Sequence, residues 1–186
     1  MTNTLELGSG NFTYSVDEKW EKLPPDYWWR DAAAVAVDSK DRIFVFNRGN
    51  HPMIIFDQKG NFLQSWGEGL FKNAHALTMG PDDTIYCVDD GDHTVRKCTL
   101  DGKVLMTIGI PGKHSSAYSG EPFNRCTDIA LDPNNGDIYV SDGYANARIH
   151  KYAPDGSPLF SWGQPGTDPG EFNIPHNIAT DKDGYV

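Results

Sequence analysis

A recurring twelve-residue pattern leaves this chain few folds to choose from. Val35–Phe46 aligns without gaps with Leu77–Val88 and with Ile129–Val140. A fourth copy begins at Ile178. The copies start at 35, 77, 129 and 178, at spacings of 42, 52 and 49 residues. Each full copy has a second half. His51–Phe56 leads through Gly60 to Asn61–Gly67, Thr94–Cys98 through Asp101-Gly102 to Lys103–Gly109, and Arg148–Tyr152 through Asp155-Gly156 to Ser157–Gly163. Short runs rich in Val, Ile, Phe and Tyr, broken by Asp-Gly and Asn-Gly, read as strands and hairpins.

Four strands per copy at this period make a propeller blade. The expected fold is therefore an all-β propeller, a single domain over 1–186. It has an N-terminal strand region over 1–30 and blades from about 35, 77, 129 and 178. The repeat resembles the NHL family of propellers, which implies a ring of six blades. About three and a half are expected here, the rest coming from a longer chain or a partner subunit. Asn11–Val16 reads as a strand in need of a partner, and in closed propellers a terminal strand often completes the last blade.

Strand direction sorts the candidate residues onto one face. First strands start there, and second and fourth strands end there. His75 and His176 each stand two residues before an equivalent first-strand position, Leu77 and Ile178. The same position holds Ala33 in the first copy and Thr127 in the third, so histidine is not a requirement of the repeat. In a six-bladed ring, blades two and four lie about 120° apart by symmetry. A third histidine on blade six would complete a trigonal set, and three histidines with an open position make a catalytic zinc arrangement. Arg48 and Tyr144 follow second strands and share this face. So do the long interblade loops, where binding usually resides. Asp38, Asp132 and Asp181 recur after first strands and read as turn residues.

These residues bring a second resemblance. Phe46-Asn-Arg-Gly-Asn-His51, Ala74-His-Ala-Leu77, Val140-Ser-Asp-Gly-Tyr144 and Pro175-His-Asn177 resemble the peptidyl-α-hydroxyglycine α-amidating lyases. Such enzymes are six-bladed propellers with a catalytic zinc and a structural calcium. They cleave the carbon–nitrogen bond of a peptidyl-α-hydroxyglycine to a peptide amide and glyoxylate. The resemblance implies that His75 and His176 are two of three zinc ligands, Arg48 the active-site arginine and Tyr144 the catalytic tyrosine. It implies that Val35 and Leu77 give backbone carbonyls to calcium. It places the third zinc histidine and the calcium aspartate after Val186. Two departures stand out. The family's Arg-Gly-Asp-His reads Arg48-Gly49-Asn50-His51 here, and Ala145 replaces the cysteine that secreted members carry after the tyrosine.

Composition narrows the partners. A formal net charge of −10 argues against nucleic acid and anionic membrane surfaces. No apolar run approaches the roughly 18 residues that span a bilayer, and the first residues lack the pattern of a signal peptide. Cys87, Cys98 and Cys126 match no zinc spacing. They read as reduced core thiols, and the compartment as cytoplasmic. The expected partner is a small-molecule or peptide substrate. Two alternatives stay open: a non-enzymatic NHL propeller binding a protein or small ligand on its loop face, and a propeller hydrolase of lactonase type with a carboxylate-rich calcium site.

Overall fold

A computed structural model describes residues 5–186. Alternating apolar residues build three antiparallel sheets of four strands, and no helix forms among the described residues. The first blade comprises β3 (Ala32–Val37), β4 (Ile43–Asn47), β5 (Met53–Phe56) and β6 (Phe62–Trp66). The second comprises β7 (Ala74–Met79), β8 (Thr84–Asp89), β9 (Thr94–Thr99) and β10 (Val104–Ile108). The third comprises β11 (Asp128–Leu131), β12 (Ile138–Asp142), β13 (Arg148–Tyr152) and β14 (Pro158–Trp162). In every blade the strands pair in chain order. The first strands adjoin, β3 against β7 and β7 against β11, so they are the inner ones. The structure therefore bears out an all-β fold of propeller-type, four-stranded blades.

Period two decides which blade each side chain meets. On β8, Ile85 and Cys87 join Phe44, Phe46, Met53 and Ile55 of blade one. The alternate residues, Tyr86 and Val88, join Ile129, Ile138, Val140 and Tyr152 of blade three. Both faces of blade two are thus buried, and each such apolar side chain contributes about 1.5–3 kcal/mol. The outward face of blade one, Val45, Ile54 and Phe56, is covered by Trp20, Leu23, Tyr27 and Trp29 of the N-terminal segment. Tyr27 locks this cover by stacking on His51 at 3.7 Å and by a 2.8 Å hydrogen bond between its hydroxyl and that of Ser65.

Three findings refine the expected organisation. First, the twelve-residue alignment hides an insertion. Val35 pairs with Val45 and Leu77 with Cys87, but Ile129 pairs with Val140. The turn that Asp132 opens therefore holds one extra residue: its N–H reaches Asp137, whereas that of Asp38 reaches Arg42. Asp142 is in consequence the counterpart of Asp89 and Asn47. Second, β2 (Phe12–Val16) pairs with the neighbouring β1 (Leu5–Ser9) in a separate exposed ribbon, so its partner is local. Third, the fourth copy closes its first turn, with Asp181 N–H on Tyr185 O at 3.0 Å, but Ile178–Val186 holds no ladder strand.

One glycine position recurs at the end of every blade. Gly67, Gly109 and Gly163 have φ of 97°, 89° and 96°, a region costly to residues with a Cβ. A Cβ there would lie 2.8, 3.0 and 2.4 Å from the rings of Phe71, Phe123 and Phe172 respectively. Each interblade loop thus leaves its blade through a glycine and returns an aromatic ring onto it.

Candidate functional site

The site begins with a bulge. In β7 the register slips between Ala74 and Ala76, which leaves His75 as the extra residue, and in β3 it slips between Ala32 and Ala34 around Ala33. Bulges re-aim side chains. In blade two the re-aimed side chain is an imidazole, 7% exposed. His75 Nε2 lies 3.0 Å from the hydroxyl of Tyr144, the ring edge-on at 79°.

Tyr144 comes from the loop between β12 and β13, which Asp142 holds in shape. Its buried carboxylate accepts hydrogen bonds from Asn124 N–H at 2.9 and 3.0 Å and from Asn146 Nδ2 at 2.7 Å. Asp89 does the same in blade two, accepting from the main-chain N–H groups of Lys72, Asn73, Gly91 and Asp92. Gly143 lets the loop approach the chain before His176, for a Cβ there would lie 2.0 Å from Pro175 O. His176 then presents Nε2 to the same Tyr144 hydroxyl at 2.9 Å. The two imidazole centroids are 4.9 Å apart. One phenol oxygen therefore meets nitrogens from two repeats while rooted in a third. A phenol has a single proton, so it donates to one imidazole and accepts from the other.

Burial pushes His75 below the usual histidine range, and the nearby His176 and Arg48 push the same way, while Asp90 and the Thr127 backbone oppose them. The neutral imidazole this favours is the form that ligates metals. His75 Nδ1 is buried with no hydrogen-bond partner among the described residues. The two Nε2 atoms converge on one point, as two nitrogen donors of a zinc site would, and the Tyr144 hydroxyl stands at that point. Among the described residues no group of three or more His, Cys, Asp or Glu side chains is placed to hold a metal ion. Val35 and Leu77 occupy equivalent positions on the neighbouring inner strands β3 and β7, opposite Val45 and Cys87. Two carbonyls are a minority of the roughly six to eight oxygens that calcium takes.

Arg48 leaves β4 and bonds Ala74 O through Nε at 2.9 Å, next to His75 in the chain. Sequence reasoning singled out these four side chains but assigned no role to Arg125. Its guanidinium carbon stands 4.4 Å from the Tyr144 ring centroid. Its Nε and Nη2 both donate to Asp90 Oδ2, at 3.0 and 2.6 Å. Arg125 lies at the end of the long loop before β11, outside the twelve-residue pattern that begins at Ile129.

Comparison with known proteins agrees with this architecture. A model of the NHL repeat matches residues 123–152, the body of blade three. NHL repeat-containing protein 3 of Homo sapiens is 29% identical over 201 residues, covering 95% of this chain and 56% of that protein. Peptidyl-alpha-hydroxyglycine alpha-amidating lyase 1 of Drosophila melanogaster is 38% identical over 191 residues, covering 86% of this chain and 34% of that protein. This chain thus spans about half or less of the length of these relatives. Among solved structures, a streptogramin B lyase superposes with a TM-score of 0.62 at 15% identity, over 83% of this chain and 47% of that one. The last likeness shows the fold alone.

Proposed function

For this chain, an NHL-repeat β-propeller similar to the amidating lyases, we propose a metal-dependent carbon–nitrogen lyase activity on an α-hydroxyglycine-type carbinolamide. The observation that carries the reading is the meeting of His75, Tyr144 and His176 at one phenol oxygen. His75 and His176 would hold zinc, with a third donor from outside the described residues. Zinc, when bound, supplies Lewis-acid polarisation of a substrate oxygen.

The remaining work falls to this chain's own side chains. Arg48 spends Nε on Ala74 O, and its terminal nitrogens would grip the substrate carboxylate by paired hydrogen bonds. That grip sets the carbinol O–H toward Tyr144. Tyr144 Oη, acting as the phenolate, takes the hydroxyl proton. The carbon–oxygen bond becomes the carbonyl of glyoxylate, and the carbon–nitrogen electron pair leaves with nitrogen. Nitrogen takes up a proton to give the amide, so atoms balance without any redox change. Val35 and Leu77 would offer calcium two backbone carbonyls at the inner strands. The three free, buried cysteines support a reduced, cytoplasmic setting.

The test measures glyoxylate from a benzoyl-α-hydroxyglycine beside metal content. Glyoxylate release that disappears with chelation and returns with zinc is expected. Undiminished release from metal-free protein removes the metal-dependent reading, and no release with zinc present removes the lyase reading. A second reading is a binding propeller acting through the same loop face. It is favoured by the match to NHL repeat-containing protein 3, which covers the larger share of the chain.

A further inference from the structure

We infer that Arg125, held by Asp90, is the positioning residue of Tyr144, fixing the phenol ring between the two imidazoles. Its bearing on catalysis rests on the lyase reading; its bearing on Tyr144 does not. Three blade elements meet here. Asp90 follows β8, Arg125 lies in the loop before β11, and Tyr144 lies between β12 and β13. The Asp90 side chain is 1% exposed, and its other oxygen takes the side-chain amide of Asn73. The carboxylate is therefore fixed before Arg125 meets it.

The backbone of Arg125 is fixed as well. It sits at φ 64°, and its N–H donates to His93 Nδ1 at 3.1 Å. With both ends tied, the guanidinium is held over the ring at a distance suited to cation–π attraction. Tyr144 needs this. Its loop lies outside the strand ladders, and a side chain in such a loop has several staggered rotamers open to it. The two imidazoles hold only the tip of the phenol. Arg125 covers its face and closes the rotation that would swing the hydroxyl away.

A surface ion pair would look different in one respect. The Arg125 side chain is 49% exposed, and an exposed pair alone is worth little. If that were its whole role, losing it would leave Tyr144 undisturbed.

The experiment follows Tyr144 directly in the full chain. Tyrosine labelled with ¹³C at Cζ gives one line per residue, and Tyr144→Phe identifies the line of interest. Arg125→Gln is expected to shift or split it, Asp90→Asn to do the same, and Arg125→Lys to restore it in part by keeping the cation. If turnover is present, Arg125→Gln lowers kcat on the order of tenfold to a hundredfold with KM little changed. A Tyr144 line identical in Arg125→Gln and the parent protein overturns the inference. So does a rise in KM at unchanged kcat, which would make Arg125 a substrate-binding group. A shifted line in a chain without lyase activity sinks the lyase reading and leaves the positioning role standing. Because Arg125 is half exposed, its variants are the primary arm should Asp90→Asn fail to fold.

Discussion

The hydroxyl of Thr127 donates to the carbonyl of Pro175 at 2.8 Å, tying the start of blade three to the residue before His176. Thr127 stands where blade two has His75, is fully buried, and shares its hydroxyl with Ser141 Oγ at 2.9 Å. The position that carries an imidazole in one blade carries in the next the hydroxyl that steadies the other imidazole.

Thr127→Val removes that tie while keeping the shape. It is expected to cost about 1–3 kcal/mol of stability, since partners are left unsatisfied. Zinc affinity should fall by about tenfold or more, the usual penalty for losing a group that orients a ligand. Denaturant unfolding and zinc competition would measure the two effects. Stability lost with zinc affinity unchanged would mean that Pro175 does not govern His176.

Tyr144→Phe should retain metal and lose turnover. The ring and its contact with Arg125 remain, so folding should change little. Glyoxylate release should drop by about a hundredfold or more, the usual contribution of a general base. Zinc analysis of the same sample separates a lost proton acceptor from a lost metal.

A pH dependence follows from His93. Burial pushes it below the ordinary histidine range, aided by His114 and opposed by Asp142, Asp90 and Asp92. The unfolded chain therefore binds the proton first as pH falls below about 6.5. Stability is full above that value and declines as pH drops toward the lower folded-state value. His93→Asn tolerates the positive φ and does not titrate, so it should flatten this part of the pH–stability curve. An unchanged slope would assign the dependence to other groups.

Gly109→Ala should destabilise by more than about 1 kcal/mol, because the backbone conformation there disfavours a side chain. The added Cβ would also lie 2.4 Å from His93 O. Gly69, whose Cβ would meet nothing within 4 Å at φ 74°, isolates the conformational part. The difference between the two melts then reports the steric part.

Blade architecture was legible because alternation and Asp-Gly turns are local, and local pattern controls strands. That His75, Tyr144 and His176 share one face was legible because repeat equivalence and strand direction turn sequence position into position on the blade. What escaped was set by other physics. The extra residue in the turn after Asp132 leaves hydrophobic identity almost intact, so the alignment passed over it; only the hydrogen-bond ladder exposes it. The partner of β2 depends on which edge a strand finds. Arg125 is placed by a left-handed residue in a long irregular loop and by a carboxylate from another blade, and neither leaves a periodic trace.

The glycine and aromatic pair that ends each blade separates loop length from loop anchorage. Phe71 follows soon after Gly67, Phe123 long after Gly109, and Phe172 at an intermediate distance from Gly163. Both ends of every loop meet at one fastening, so residues can be gained or lost between them without disturbing the next blade. Such a chain can reshape its loop face by insertion alone, leaving the sheets beneath untouched.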